Sequence, residues 1–216
     1  MISEPLLILL LTLLASAMVI WYFVNRRRLV RFIKEFTVEL ERVFKPKDKT
    51  YHLLGYLVGY RAVYVLEDGS RAHILFTTAP ILSLLYYPIA KLLKREHEVT
   101  ITINPYRRKV ACEMHAFIKG KPRLERVVFK DLKSRAKRLS RAELKSRWGV
   151  YEVYYEDNCD INIVLQLVNS SVYPIYKLSA YKDDNIVSLT SKADAKTLKE
   201  LRDTLYRFMG KTTIVR

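Results

Sequence analysis

From Leu6 to Val24 the chain is apolar apart from Thr12 and Ser16, and the run is closed at once by Asn25-Arg26-Arg27-Arg28. A helix rises about 1.5 Å per residue, so a stretch of this length matches the ~30 Å hydrocarbon core of a bilayer. The sequence therefore predicts a single membrane-spanning anchor over residues 1–25. A cleaved secretory signal competes with it, because Ala15-Ser16-Ala17 has the small residues of a cleavage site. Three features oppose the signal: Met1-Ile2-Ser3-Glu4 has no Lys or Arg, the run is longer than a usual signal core, and Met18 to Val24 still come after the would-be site. Lys and Arg are held on the cytoplasmic side of membrane helices. Arg26, Arg27, Arg28 and Arg31 thus predict a single-pass protein with its N-terminus outside and its C-terminal domain cytoplasmic.

The chain beyond the anchor is long enough to build one real core without metal or disulfide staples. Cys112 and Cys159 are far apart and in no motif. In a reducing compartment they read as two small buried hydrophobes. A single glutamine, Gln166, few asparagines and abundant Lys, Arg, Glu, Ile, Val and Tyr lean towards a thermophile. The net charge of +16 is unevenly placed: residues 119–147 hold twelve Lys or Arg against Glu125, Asp131 and Glu143. A second basic cluster, Arg26 to Lys49, adjoins the anchor. Clustered positive charge of this kind calls for a polyanion, either anionic lipid headgroups or nucleic acid, the bland alternative being a solvated helix face.

Leu29, Phe32, Ile33, Phe36, Leu40, Val43 and Phe44 recur at three- and four-residue spacing, which predicts a juxtamembrane amphipathic helix over 26–46 that prolongs the anchor and ends before Pro46. Residues 47–216 then read as one domain. The stretch 51–78, rich in Tyr, Val, Leu and Ile, reads as a hairpin around Glu67-Asp68-Gly69-Ser70. A helix from Ile81 to Arg95 kinked at Pro88, strands at 98–103 and 109–118, and a basic amphipathic helix within 119–147 come next. In that helix Leu124, Val128, Leu132, Ala136 and Leu139 form a buried seam, and Arg126, Lys130, Lys133, Lys137 and Arg141 form the outer face. A strand at 150–155, a helix at 161–169, strands at 174–181 and 185–189, and a helix at 193–209 complete the pattern. The order predicts an α+β fold: a mostly antiparallel sheet with helices on one face, carried on a single N-terminal transmembrane helix.

The sequence offers no address for catalysis. Cys112 and His115 form a Cys-x-x-His pair, but on a strand an odd offset points the two to opposite faces, and no second pair occurs after them. His52, His73 and His97 stand alone. The acidic neighbours of Cys159 raise a thiol's pKa, the wrong direction for a nucleophile. No glycine-rich phosphate loop occurs, nor Gly-x-Ser-x-Gly or His-Glu-x-x-His. The expectation is a non-enzymatic protein with no cofactor and no metal. The residues expected to act are the basic ones: Arg126, Lys130, Lys133, Lys137 and Arg141 towards ribosome or lipid, and the juxtamembrane Arg26, Arg27, Arg28 and Arg31.

His73 to Thr78, the helix after Pro80 and the strand Val99-Thr100-Ile101-Thr102-Ile103-Asn104 are similar in spacing to a strand, helix and strand of the calumin family, the coiled-coil-domain subunits of the PAT complex at the multipass translocon. Ile163 to Ser179 resembles that family's second half, and Leu198 to Phe208 its closing helix. The likeness covers most of residues 5–210. It is that of a short form, lacking the acidic N-terminal segment and the C-terminal coiled coil that family members carry. The resemblance implies a membrane-anchored factor that assists membrane-protein insertion or folding. Its implied partners are the Sec translocon, the ribosome, a small multispanning membrane protein and nascent membrane-protein clients. The alternative reading is a membrane-tethered adaptor or nucleic-acid-binding module unrelated to insertion.

Overall fold

The computed structural model describes residues 4–132 and 138–215. The expected positions Lys133, Ala136 and Lys137 lie outside the described residues. One helix, α1 (Glu4–Phe44), carries both the apolar run and its amphipathic extension without a break. By length and composition it can cross a membrane, and its apolar window is entirely unburied. The character changes at Leu29, the first buried residue; Phe36, Leu40, Val43 and Phe44 come next on the same side. At about 3.6 residues per turn these positions share one stripe, which α1 lays on the domain. Lys45 takes a left-handed conformation (φ 45°) immediately before Pro46, and this ends the helix. From the far side, Arg202 donates to the otherwise unpaired carbonyl of Val43 at 2.8 Å.

The domain is built on a nine-stranded sheet of β1 (Asp48–Gly55), β2 (Gly59–Val65), β3 (Arg71–Thr77), β4 (Glu98–Asn104), β6 (Met114–Ile118), β7 (Ser140–Ser146), β8 (Gly149–Tyr155), β9 (Ile175–Tyr181) and β10 (Ile186–Lys192). Their order across the sheet is β1-β2-β3-β4-β10-β9-β6-β8-β7, antiparallel throughout. Two short strands, β5 (Arg108–Val110) and β11 (Thr213–Val215), pair separately. Residues 51–78 thus give three strands rather than a simple hairpin. The turn expected at Gly69 (φ 84°) is present between β2 and β3, and a second reversal after Gly55 separates β1 from β2. Gly59 is the tighter constraint: a Cβ there would lie 2.1 Å from the carbonyl oxygen of Phe76.

Period-two alternation sends Tyr60, Ala62, Tyr64, Ala72, Ile74, Phe76, Val99, Ile101 and Ile103 into one core, where they meet the α1 stripe. The same face receives α4 (Asn162–Ser170) and α5 (Leu198–Thr212) through Val164, Val168, Leu201, Leu205 and Phe208. Cys112 and Cys159 also lie in this core. They are not the two separate thiols expected of a reducing compartment but a disulfide, with Cα atoms 5.7 Å apart.

Two helical expectations change. Only α2 (Tyr87–Leu92) forms between β3 and β4, and Pro88 begins it rather than kinking it, because its ring fits the first turn where no amide donor is needed. Among its described residues the basic stretch is helical over α3 (Pro122–Leu132), while residues 140–146 join the sheet as its edge. Val128 and Leu132 of α3 pack on Phe117 and Tyr154, with Leu124 and Leu139 partly buried beside them. In β6, Phe117 alternates with Met114 and Ala116 of the main core. α3 therefore covers the opposite face, so helices lie on both faces of the sheet rather than on one.

Candidate functional site

The juxtamembrane arginines Arg26, Arg27, Arg28 and Arg31 are all exposed, at the point where α1 passes from bare to packed. At 100° per residue, Arg26, Arg27 and Arg28 ring the helix, and Arg31 falls near Arg27 and Arg28 at i+4 and i+3. Arg26 donates from Nε to the Tyr56 hydroxyl, and its guanidinium carbon lies 5.7 Å from the centre of that ring. This pins the reversal between β1 and β2 to the anchor.

On α3 the expected partition holds for the described residues. Arg126 and Lys130, one turn apart, are exposed while Val128 and Leu132 are buried. Arg141 is not on that helix. It lies on β7, where strand pairing brings its Nε within 2.7 Å of Glu152, a carboxylate almost wholly buried on β8. Two other cations of the segment are likewise neutralised within the domain. Lys119 donates to Glu143 and holds that carboxyl below its usual range. Lys121 sits 3.1 Å above the Tyr176 ring, within 3.9 Å of Glu96 and Glu98, and burial pushes its pKa down. The outward field of the segment is thus smaller than its formal charge, and among the described residues Arg126 and Lys130 are the expected contacts that keep it.

Sequence reasoning missed a polar band buried across the face that α3 partly covers. Thr100 pairs with Thr190 at 3.0 Å, Thr102 with Ser188 at 3.1 Å, His115 with Glu113 at 3.1 Å, and Lys177 donates to Tyr181 at 2.8 Å. The signal was in the alternation: Thr100 and Thr102 in β4, Ser188 and Thr190 in β10, Lys177 and Ser179 in β9 each interleave with core residues. These pairs run from strand to strand or along one strand, so they fasten the sheet. The strand expected at 109–118 is broken into β5 and β6, and Cys112 falls in the break; the Cys-x-x-His pair is divided all the same, Cys112 in the main core and His115 on β6 beside Glu113.

His97 joins the loop before β4 to α1. Its Nδ1 accepts from the amide of Ala79 at 3.0 Å, and its ring centre is 4.7 Å from that of Phe32. Burial, reinforced by Lys192, pushes its pKa below the ordinary value. The unfolded chain then binds the proton more readily than the folded one, so this stabilisation is full above about pH 6.5 and is lost as pH falls below it. The denaturation midpoint should fall between about pH 7 and pH 5, with a shallower slope in His97→Asn, whose amide oxygen still accepts from Ala79 but does not titrate. Equal slopes in the two chains would remove His97 from the account.

Compared with models of known protein families and with curated proteins, the chain matches none.

Proposed function

We propose that the protein is a non-enzymatic, membrane-anchored factor that assists membrane-protein insertion or folding at the Sec translocon, with its domain on the cytoplasmic side and its basic α3 face towards the ribosome. The observation that carries this reading is the continuity of α1. One helix is bare over its apolar half and buried in the domain core over its other half, so the domain is held rigidly at the end of the span. A flexible tether would leave the domain free to roam; a packed helix fixes which surfaces face the bilayer and which face the cytosol. Arg126 and Lys130 lie across the sheet from the packed half of α1, turned away from the anchor's side of the domain. That placement suits a second, polyanionic partner. A small multispanning membrane protein and nascent clients are the partners proposed within the bilayer.

The test is co-sedimentation of the full chain, in native membranes, with ribosomes across a salt series. Arg126→Gln with Lys130→Gln should weaken binding and reduce the slope against salt by about two, one for each phosphate left without its cation. Folding should be unchanged because both side chains are exposed. Unaltered ribosome binding together with weaker binding to anionic vesicles would assign the charges to headgroups instead. If neither changed, the α3 face would be only a solvated surface.

A further inference from the structure

Two loops of the domain are tied to α1 at the level where the apolar run ends. The indole Nε1 of Trp21 donates to the carbonyl of Ile81 at 3.0 Å, and its ring centre lies 5.2 Å from that of Tyr87, which fixes the connection between β3 and β4. Arg26 fixes the reversal between β1 and β2 through Tyr56. Trp21 lies five residues before Arg26, about 7 Å nearer the middle of the span. Any bilayer that takes in the apolar run to Val24 therefore reaches these loops.

Both connections, together with the last residues of β1, carry bare apolar side chains there. Leu53 and Leu92 are each 83% exposed, and Leu54, Val58, Leu85, Ile89 and Leu93 are exposed with them. Outside α1, eight of the thirteen exposed large hydrophobic residues among the described residues belong to these two connections and the end of β1. Single exposed hydrophobes are ordinary, but a concentration of this kind marks a contact surface. On α2 and the residue that caps it, Ile89, Leu92 and Leu93 stand out to solvent at helical spacing while Ala90 turns inward to the domain. Lys91, Lys94 and Arg95, also exposed, punctuate the patch, and Arg26, Arg27 and Arg28 adjoin it. Apolar side chains bordered by Lys and Arg, with Trp21, Tyr56 and Tyr87 between them, match the layering of a membrane interface: acyl chains, aromatic belt, anionic headgroups.

We propose that the loop between β1 and β2 and the α2 segment dip into the headgroup and acyl boundary of the bilayer that α1 spans, giving the domain a second, monotopic hold on anionic lipid. This rests on α1 spanning the membrane. The bilayer is the favoured occupant because the patch continues directly from the bare half of α1, and because its border carries positive charge complementary to headgroups. The packed half of α1 fixes the domain to the span, but a single span can tilt in the bilayer; the two further contacts set that tilt.

The test places the photo-crosslinker p-benzoylphenylalanine singly at positions 14, 53, 92 and 106 of the full chain, reconstituted in vesicles of phosphatidylcholine and phosphatidylglycerol. Position 14 reports the span itself. Position 106 is a control: Tyr106 is also exposed, but it lies past the far end of β4, about seven strand residues from Glu98 and roughly 23 Å away. Lipid adducts at 53 and 92 should approach those at 14, with 106 an order of magnitude lower. Adducts at 14 alone would overturn the proposal and leave the span standing; their absence at 14 as well would remove the span. In native membranes, adducts of 53 and 92 with a protein in place of lipid would also overturn it, by assigning the patch to a membrane-protein partner.

Discussion

Replacing Phe36 with alanine should lower the unfolding free energy of the full chain by about 3–5 kcal/mol, the usual cost of deleting a fully buried aromatic ring. Phe36 is wholly buried and stacks on Phe76 at 4.7 Å between ring centres, with Phe32 beside both. At these rings the anchor helix becomes part of the domain core. Their removal leaves a cavity between α1 and the sheet that neither rigid element can collapse to fill. The comparison is Val38→Ala on the same helix, 59% exposed, for which a change within about 0.5 kcal/mol is expected. Both are read from denaturation in detergent, tracked by the fluorescence of Trp148 in the outer part of the sheet. Equal midpoints for the two variants would mean that α1 is a tether lying beside the domain, and the rigid placement behind the functional reading would go with it.

Much of this architecture was legible in the sequence, and the misses share a cause. The α1 stripe was readable because seven apolar positions repeat at helical spacing through Phe44 and stop at a proline. β9, β10 and α5 were readable because each alternates or repeats against a single core. Periodicity misleads where an element meets two different surfaces. Residues 119–147 looked like one amphipathic helix because Leu124, Val128 and Leu132 continue into Leu139 at nearly helical spacing. α3 is described as far as Leu132, Leu139 meets the same small cluster, and Arg141 lies in a strand rather than on the helix. Charge patterning could not signal this, since Arg141 is placed by Glu152, a partner that only strand pairing brings near. The helix expected from Ile81 to Arg95 shrank to α2 for a related reason. Leu85, Ile89, Leu92 and Leu93 have no facing core to organise them, and they remain exposed.

Cys112 and Cys159 were misread because nothing in a sequence reports that two residues 47 apart lie on neighbouring elements. Cys112 precedes β6, Cys159 comes after β8, and the pairing of Met114 with Tyr155 brings the two chain ends together. The bond closes a loop that contains β6, α3, β7 and β8, so it ties the outer strands and the basic helix to the approach of α4. In the chain-entropy account, closing a loop of this length removes enough freedom from the unfolded chain to stabilise the folded one by about 4 kcal/mol. Reductant, or Cys112→Ser with Cys159→Ser, should therefore lower the denaturation midpoint by an amount equivalent to that figure, and an unshifted midpoint would show that the bond holds nothing in place. The same bond bears on the side of the membrane. Disulfides persist outside the cytosol, and inside it chiefly in hyperthermophiles. A cytoplasmic domain joined to a thermophile-like composition requires the second case, in which alkylation of acid-quenched cells should leave both cysteines unmodified while a reagent that cannot cross membranes fails to reach the 45–50 segment. If that segment is labelled in intact cells, the disulfide lies in an oxidising space, the arginines after the span do not set its orientation, and α3 faces a partner other than the ribosome.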